Sequence, residues 1–185
     1  MKRSLLLLSS LVILHSLFAQ TPKGYSIDVT VKPLRNVYLF LGYHYGPKKG
    51  LVDSVLVDNN SRAVFKGGEP LPGGIYFIVS PRKEIMFEML IDKEQHFSVT
   101  ADTLTLPDGV VFNGTEDNMH FQRYTLFANK LGEQIMKGNA DMGDAKSAEE
   151  SAAIRKRQRE LSERLEQYRD SIVKTYPASI LTALF

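Results

Sequence analysis

Three acidic residues lie on one side of a predicted strand in the stretch EIMFEMLID and are the first candidates for acid–base chemistry. Glu84, Glu88 and Asp92 occupy even-numbered positions, and apolar residues occupy the alternate ones. A glycosidase pair of carboxylates must flank a substrate in a cleft. A row along one strand is instead typical of the solvated face of a sheet. We therefore predict a surface role for these carboxylates.

Three of the four histidines, those beyond residue 19, could transfer protons or bind a metal. None of His44, His96 and His120 has a second histidine or a carboxylate at a spacing that makes a strong zinc motif. His96 falls on the polar face of its predicted strand, and His120 lies beside the apolar stripe of a predicted helix. We interpret them as surface histidines and predict neither a metal site nor a cofactor site.

The sequence contains no cysteine. This excludes disulfides, thiolate ligands, cysteine nucleophiles and the acylated cysteine of a bacterial lipoprotein. Ser54, Ser80 and Ser98 have no nucleophile-elbow context, and no glycine-rich loop joins a strand to a helix as in phosphate-binding sites. The sequence therefore predicts no catalytic residues, and the chain is expected not to be an enzyme.

The basic run RKRQR, residues 155–159, could bind phosphate or an acidic glycan. Acidic residues adjoin it, and Lys156 and Glu160 are spaced for a helical ion pair. Lys2 and Arg3 account for the formal charge of +2, so the remainder of the chain is neutral. Without a positive surplus, nucleic acid is excluded as an expected partner.

The stretch GYHYG carries an aromatic pair that could stack on a sugar or a peptide. Tyr43 and Tyr45 alternate within it, whereas most other tyrosines and phenylalanines fall on predicted inward stripes. We predict that these two residues form an exposed tip, the one candidate ligand contact in the sequence.

Residues 1–19 have the pattern of a signal peptide. Lys2 and Arg3 precede an apolar run that is short for a membrane span, and Ala19 before Gln20 offers a small residue for cleavage. A retained anchor helix is the alternative. Cleavage predicts an exported chain, in the periplasm or cell envelope, without a stable membrane anchor.

The rest of the chain divides into two parts of different periodicity. Residues 20–114 contain about eight short apolar–polar alternations separated by turns, which predicts a mainly β fold, an antiparallel β-sandwich. In this part the turn DNNS, residues 58–61, is expected to close a hairpin.

Residues 115–185 have helical periodicity and predict a helical hairpin followed by the start of a third helix. Thr115 and Ser147 are the expected N-caps, and the stretch KGNADMGDAK, residues 137–146, is expected to be the loop between the helices. The two apolar stripes comprise Phe121, Tyr124, Ala128, Leu131 and Ile135, and then Ile154, Leu161, Leu165, Tyr168 and Ile172.

The last residues, YPASILTALF, carry an apolar face on a short predicted helix with Pro177 in its first turn. Ile180, Leu181, Leu184 and Phe185 are costly to leave in water, since burial of one such side chain is worth roughly 1.5–3 kcal/mol. They are expected either to fold back onto the hairpin or to contact a further domain, and the second is the preferred expectation because so short a helix gains little stability alone.

Several stretches together resemble one family: DSVLVDNNSRAVFKG, LPGGIYFIV, LIDKEQHFSVTAD and VVFNGTEDNMHFQRY. They are similar to the N-terminal β-domain, without an established function of its own, and the helical connector of exported thioredoxin-like disulfide oxidoreductases of Gram-negative bacteria. The resemblance covers roughly residues 24–185. It implies that the chain ends before a thioredoxin-like domain.

The resemblance implies that the chain is associated with redox proteins but has no redox activity itself, because the Cys-x-x-Cys pair that performs thiol–disulfide exchange is absent. The expected function is a non-catalytic accessory domain that precedes, positions or dimerises a thioredoxin-like oxidoreductase. The expected partner is such a domain in cis or another envelope protein, or a second copy of the chain. A free-standing envelope module that binds a glycan or peptide is the alternative.

Overall fold

The computed structural model describes residues 23–185, so Ala19 and Gln20 of the predicted cleavage site lie outside the described residues. This part of the chain contains eight strands, two long helices and a C-terminal 3₁₀ turn (Ile180–Leu184). The strands are β1 (Tyr25–Lys32), β2 (Tyr38–Tyr45), β3 (Lys48–Leu56), β4 (Arg62–Gly67), β5 (Gly74–Val79), β6 (Ile85–Ile91), β7 (His96–Asp102) and β8 (Val111–Asn113). The helices are α1 (Glu116–Asp144) and α2 (Ala148–Thr175).

The strands form two four-stranded sheets that pack face to face. The first has the order β4-β1-β7-β8 and the second the order β3-β2-β5-β6. Period-two alternation directs one face of each strand inward. The main core between the sheets includes Ile27, Val29, Val31, Leu39, Leu41, Phe65, Ile78, Met89, Ile91 and Val99, all without solvent exposure. The predicted mainly β sandwich followed by a helical hairpin is confirmed.

Two details of the strand pairing differ from the sequence-based expectation. β1 and β7 pair in parallel, although every other pair is antiparallel. The predicted hairpin at residues 58–61 is wrong, because β3 pairs with β2 in one sheet and β4 pairs with β1 in the other. The turn instead crosses between the sheets. The Asp58 carboxylate accepts hydrogen bonds from the backbone N–H groups of Asn60 and Arg62 there, and Ser61 holds the left-handed conformation (φ 65°).

The edge strand β3 is interrupted where it meets β2. The register shifts between Leu41 and Gly42, which pair with Asp53 and Leu51, so Val52 is the extra residue of a β-bulge. Asp53 lies opposite the buried Leu41 and therefore on the inward side of this edge strand. β3 begins with two exposed lysines, Lys48 and Lys49.

Helix α1 is joined to the other edge of the second sheet by a buried amide. Thr115 is its N-cap, as predicted, and accepts a hydrogen bond from the Asn118 backbone N–H. The Asn118 side chain, fully buried, accepts a hydrogen bond from the Leu90 N–H at 2.7 Å and donates one to the Leu90 carbonyl at 2.7 Å. The amide thus pairs with edge strand β6 as a neighbouring strand would.

The two helices form the predicted hairpin, but the predicted loop at residues 137–146 is wrong. α1 continues through Gly138 to Asp144, and Ser147 is the N-cap of α2, as predicted. Gly138 lies against Gln158 of α2, and Gln158 Nε2 donates a hydrogen bond to Asn139 Oδ1 at 2.7 Å. These contacts between helices help to offset the roughly 1 kcal/mol that a glycine costs in a helix.

The C-terminal turn packs where the helices meet the second sheet. Leu181 is fully buried in a second apolar cluster with Leu90 of β6, Phe121 of α1 and Ile172 of α2. Ile180 and Ile75 are partly buried against the same cluster. The helical hairpin, the sheet and the C-terminal turn therefore share one core.

Within residues 23–185, no helix is both long enough and apolar enough to cross a membrane.

Candidate functional site

The predicted aromatic tip is divided between two environments. Tyr45 is 76% exposed, whereas Tyr43 is partly buried against the main core. The rings of Tyr43 and Tyr76 are 6.1 Å apart. Gly50, opposite Tyr43, leaves room for its ring, since a Cβ there would lie 2.4 Å from Tyr43 Cζ. Of these two tyrosines, only Tyr45 is therefore largely exposed to solvent.

The three acidic residues of the β6 region are separated by the fold. Glu88 lies on the outer face of the second sheet, where its Oε1 is 2.9 Å from His44 Nε2. Glu84 lines a cleft at one end of the sandwich, and Asp92 lines a separate cavity. No two of them flank a common cavity, so they do not form the arrangement that glycoside hydrolysis needs.

His44 and Glu88 form a histidine–carboxylate pair on this face. The rings of His44 and Phe77 pack edge to face, with their centroids 4.8 Å apart. Lys49 Nζ lies 5.9 Å from the centroid of the Phe77 ring. A histidine–carboxylate pair can move a proton, but covalent catalysis also needs a nucleophile beside the histidine. The contacts of His44 do not include a serine, threonine or cysteine.

The remaining histidines make structural contacts. His96 Nε2 is 3.1 Å from the Gly24 carbonyl, and His120 stacks on Tyr176 with ring centroids 3.9 Å apart. Among residues 23–185, no group of three or more His, Cys, Asp or Glu side chains could hold a metal ion.

A cavity of about 650 Å³ lies beside the start of β1 and β7. Its charged lining residues are of both signs, and include Lys23, Lys93, Glu69 and Glu94. Gln95 closes its inner side, since the amide pairs with the N–H and carbonyl of Leu71 at 2.8 Å each. The mixed charges select neither an anion nor a cation.

The groups with shifted pKa values lie away from these sites or have structural partners. Burial, with a smaller effect of the Asp53 charge, raises the pKa of Tyr25 above its ordinary value. Burial likewise raises the pKa of Tyr76, whose hydroxyl donates to the Pro72 carbonyl at 2.8 Å. The hydrogen bond and charge of Asp28 raise the pKa of Arg62. Shifts in these directions do not create a general base near neutral pH.

The basic run at residues 155–159 is on the exposed face of α2. Lys156 Nζ and Glu160 Oε1 are 3.9 Å apart, the i,i+4 pair that the sequence predicts. Gln158 is the partly buried member of the run and contacts α1. The arginines and the lysine extend along a solvated helix face.

The predicted contact residues of the C-terminal segment differ in exposure. Leu181 is fully buried within the chain and Ile180 partly so, while Leu184 and Phe185 are 41% and 40% exposed. The Phe185 ring lies 4.7 Å from the Tyr124 ring of α1. The segment thus folds back onto the hairpin, and its last two apolar side chains keep part of their surface free.

Arg169 of α2 contacts both aromatic rings of this region, Tyr124 and Phe185. Its Nε donates a hydrogen bond to the Tyr124 hydroxyl at 2.9 Å. Its guanidinium carbon lies 5.7 Å from the rings of both Tyr124 and Phe185. Such cation–π contacts contribute roughly 0.5–1 kcal/mol each at exposed sites. The sequence carried no signal for this arrangement, because residues 124, 169 and 185 meet only through the hairpin.

A further cleft, absent from the sequence-based predictions, opens at the end of the sandwich between strands β5 and β6. It has a volume of about 860 Å³, with Leu34, Leu106 and Arg82 among its lining residues. These residues come from three separate connections between strands. The topology of the sheets brings these residues together, and no local sequence pattern predicts that they are close.

Comparison with known proteins gives no assignment. No family model matches the sequence, and no curated protein matches it. Among solved structures, the crystal structure of (S)-allantoin synthase aligns with 13% sequence identity and a TM-score of 0.35. The alignment covers 51% of this chain and 45% of that protein. A likeness of this size carries no inference about fold or activity.

Proposed function

We propose that this chain is an exported, non-catalytic accessory module that precedes and positions a thioredoxin-like thiol–disulfide oxidoreductase domain, either in cis or as a separate envelope protein. The sequence resemblance of four stretches supports this proposal. The absence of cysteine means that thiol exchange would have to come from the partner.

The observation that carries the proposal is the anchoring of the C-terminal turn. Leu181 fixes the turn in the shared apolar cluster, and Arg169 holds the ring of Phe185 against α1. Leu184 and Phe185 retain partly exposed apolar surface directly beside this anchor. A domain attached there would start from a fixed position and would have apolar surface to pack against.

The first test reads the coding DNA around and beyond codon 185. The proposal expects a thioredoxin-like domain with a Cys-x-x-Cys sequence, in frame or in an adjacent gene. A stop codon with no such sequence nearby would count heavily against it. Residues 20–185 alone should not reduce insulin disulfides in the presence of dithiothreitol faster than the reagent does, and catalysis by this fragment would contradict the proposal.

The second test measures contact with that domain. Residues 20–185 are titrated with the separately expressed thioredoxin-like domain, with calorimetry as the readout. The double variant Leu184→Asp, Phe185→Asp should weaken binding at least tenfold, because buried charge at an apolar contact is costly. Met136→Asp is the matched control, since Met136 is 72% exposed on the distal part of α1. Equal effects of the two changes would refute a contact at the C-terminal turn.

The alternative function, a free-standing binding module for a glycan or peptide, rests on the exposed Tyr45. Tyr43 and Tyr45 do not form a joint platform, because Tyr43 packs inward. Tyr45→Ala should therefore abolish any such binding, measured against glycan and peptide arrays. The absence of a ligand in both arrays would eliminate this alternative.

A further inference from the structure

The cleft at the end of the sandwich is continuous with the main core. It is bounded by the β1–β2, β5–β6 and β7–β8 connections, and its volume is about 860 Å³. β5 begins beside the C-terminal turn, where Gly73 neighbours Ile180, and ends at the cleft. The cleft is therefore remote from the surface on which the proposed function depends.

Apolar side chains dominate the floor of the cleft. Leu34, Val37, Met86 and Leu106 line it, and each is partly buried against the main core. Ile85, 38% exposed, extends this apolar lining to the mouth. A cleft of several hundred cubic ångströms with a mostly apolar lining and a few polar groups has the general character of a small-molecule site.

A guanidinium group lies among the lining residues on the β5–β6 turn. Arg82 forms no ion pair with a carboxylate among residues 23–185. The turn that carries it is held by Ser80, whose Oγ accepts hydrogen bonds from the backbone N–H groups of Arg82 and Glu84, both at 3.2 Å. The guanidinium is thus available on an ordered turn, and its forked N–H donors match the geometry of a carboxylate.

Few other polar groups line the cleft. The Ser80 hydroxyl accepts two hydrogen bonds within the turn, and beside Arg82 the other polar side chains of the lining are Thr103 and Glu84. A glycan or an extended peptide brings many donors and acceptors, and burial of an unpaired polar group costs free energy. An unbranched apolar chain brings none, so the lining favours an acyl chain over either of these ligands.

We propose that this cleft binds a linear amphipathic carboxylate, with its acyl chain along Leu34, Val37, Met86 and Leu106 and its carboxylate on Arg82. Glu84 is the second charged residue of the lining and repels the same head group. The carboxylate therefore lies on the Arg82 side of the turn. The two residues give opposite and testable contributions to the affinity.

The first experiment uses residues 20–185 with ¹³C-labelled methyl groups, titrated with decanoate below its micelle concentration. We expect saturable shifts of the Met86, Leu34, Val37 and Leu106 methyl resonances, and unchanged resonances for Met136 and Leu184. Absence of saturable binding, or shifts centred on other methyl groups, would overturn the proposal.

The second experiment separates the head group from the chain by comparing decanoate with 1-decanol. Arg82→Gln should weaken decanoate binding about tenfold, the effect of one charge-assisted hydrogen bond, and leave 1-decanol binding unchanged. Glu84→Gln should strengthen decanoate binding about threefold. Arg157→Gln, on the solvated face of α2, is the matched control and should change neither.

The outcomes of this comparison are unambiguous because Arg82 and Glu84 are exposed, and their substitution leaves the core intact. If Arg82→Gln leaves decanoate affinity unchanged, or lowers the affinities of both ligands equally, the assignment of the head group to Arg82 is refuted. Ile85→Trp, which places a larger ring at the mouth, should weaken both ligands, and unchanged binding of both would refute the location of the chain.

Discussion

At the scale of single residues, side-chain amides connect parts of the molecule that backbone hydrogen bonds do not. Asn118 pairs with both polar groups of Leu90 and also donates a hydrogen bond to the Thr115 hydroxyl at 3.1 Å. Gln95 makes the equivalent pair with Leu71. Because Leu90 is 1% exposed, water cannot easily replace the amide, so its loss would leave buried groups unpaired.

Replacement of Asn118 should therefore destabilise the protein more than most changes of a single polar side chain. Asn118→Ala is expected to lower the free energy of unfolding by about 2–4 kcal/mol, since two buried backbone groups lose their partners. The measurement is urea unfolding followed by circular dichroism. Asn129→Ala, at an exposed position of α1, should change the same quantity by less than about 0.5 kcal/mol. Equal effects would contradict a special role for the amide.

At the scale of elements, the strands and helix starts could be predicted because their signals are local. The alternation in residues 85–91 and the caps Thr115 and Ser147 depend on neighbours in sequence. Pairing between strands that are distant in sequence has no local signal of this kind. The turn at residues 58–61 has the composition of a hairpin, yet β4 pairs with β1 of the other sheet, where Ala63 and Phe65 lie opposite Val29 and Ile27.

The extent of α1 was mispredicted for a related reason. Gly138 and Gly143 are poor helix formers, so the local composition indicated a loop. The contact of Gly138 with Gln158 belongs to the assembled hairpin and is invisible in the sequence of either helix alone. Of the candidate sites, residue types such as Tyr45 and Arg82 are evident in the sequence, but their exposure and neighbours depend on the assembled sheets.

The C-terminal turn provides the prediction at this scale. Leu181→Ala should destabilise the protein by about 2–4 kcal/mol, because Leu181 is fully buried among Leu90, Phe121 and Ile172. Urea unfolding gives the overall loss, and limited proteolysis shows whether the turn detaches first. Leu184→Ala, at a side chain 41% exposed, is the control and should cost less than about 1 kcal/mol. A reversed order would mean that the turn is held by its last residues.

At the scale of the whole molecule, the two edges of the second sheet are protected in different ways. The amide of Asn118 occupies part of the β6 edge, whereas β3 carries a bulge at Val52, an inward carboxylate at Asp53 and the exposed Lys48 and Lys49. Bulges, inward charges and edge lysines each hinder pairing with a strand of another molecule. The β3 edge is thus poorly suited to association between copies.

Removal of this protection should change the association state. Lys48→Val combined with Lys49→Val is expected to produce dimers or larger species in sedimentation velocity experiments, at concentrations where the unaltered edge gives none. Lys156→Val, on the solvated face of α2, is the matched control for lost charge. If both variants sediment identically to the parent, the two lysines do not prevent association through the β3 edge.

The parallel pairing of β1 with β7 has a consequence for how the chain acquires its fold. β1 is an inner strand of its sheet, and its partner positions, such as Val29 and Val99, are about seventy residues apart. Contacts of such large sequence separation are slow to form, because a long loop must close before they gain any free energy. Of the described strands, β1 is synthesised first and β7 next to last, so one side of β1 has no strand to pair with until β7 has been made.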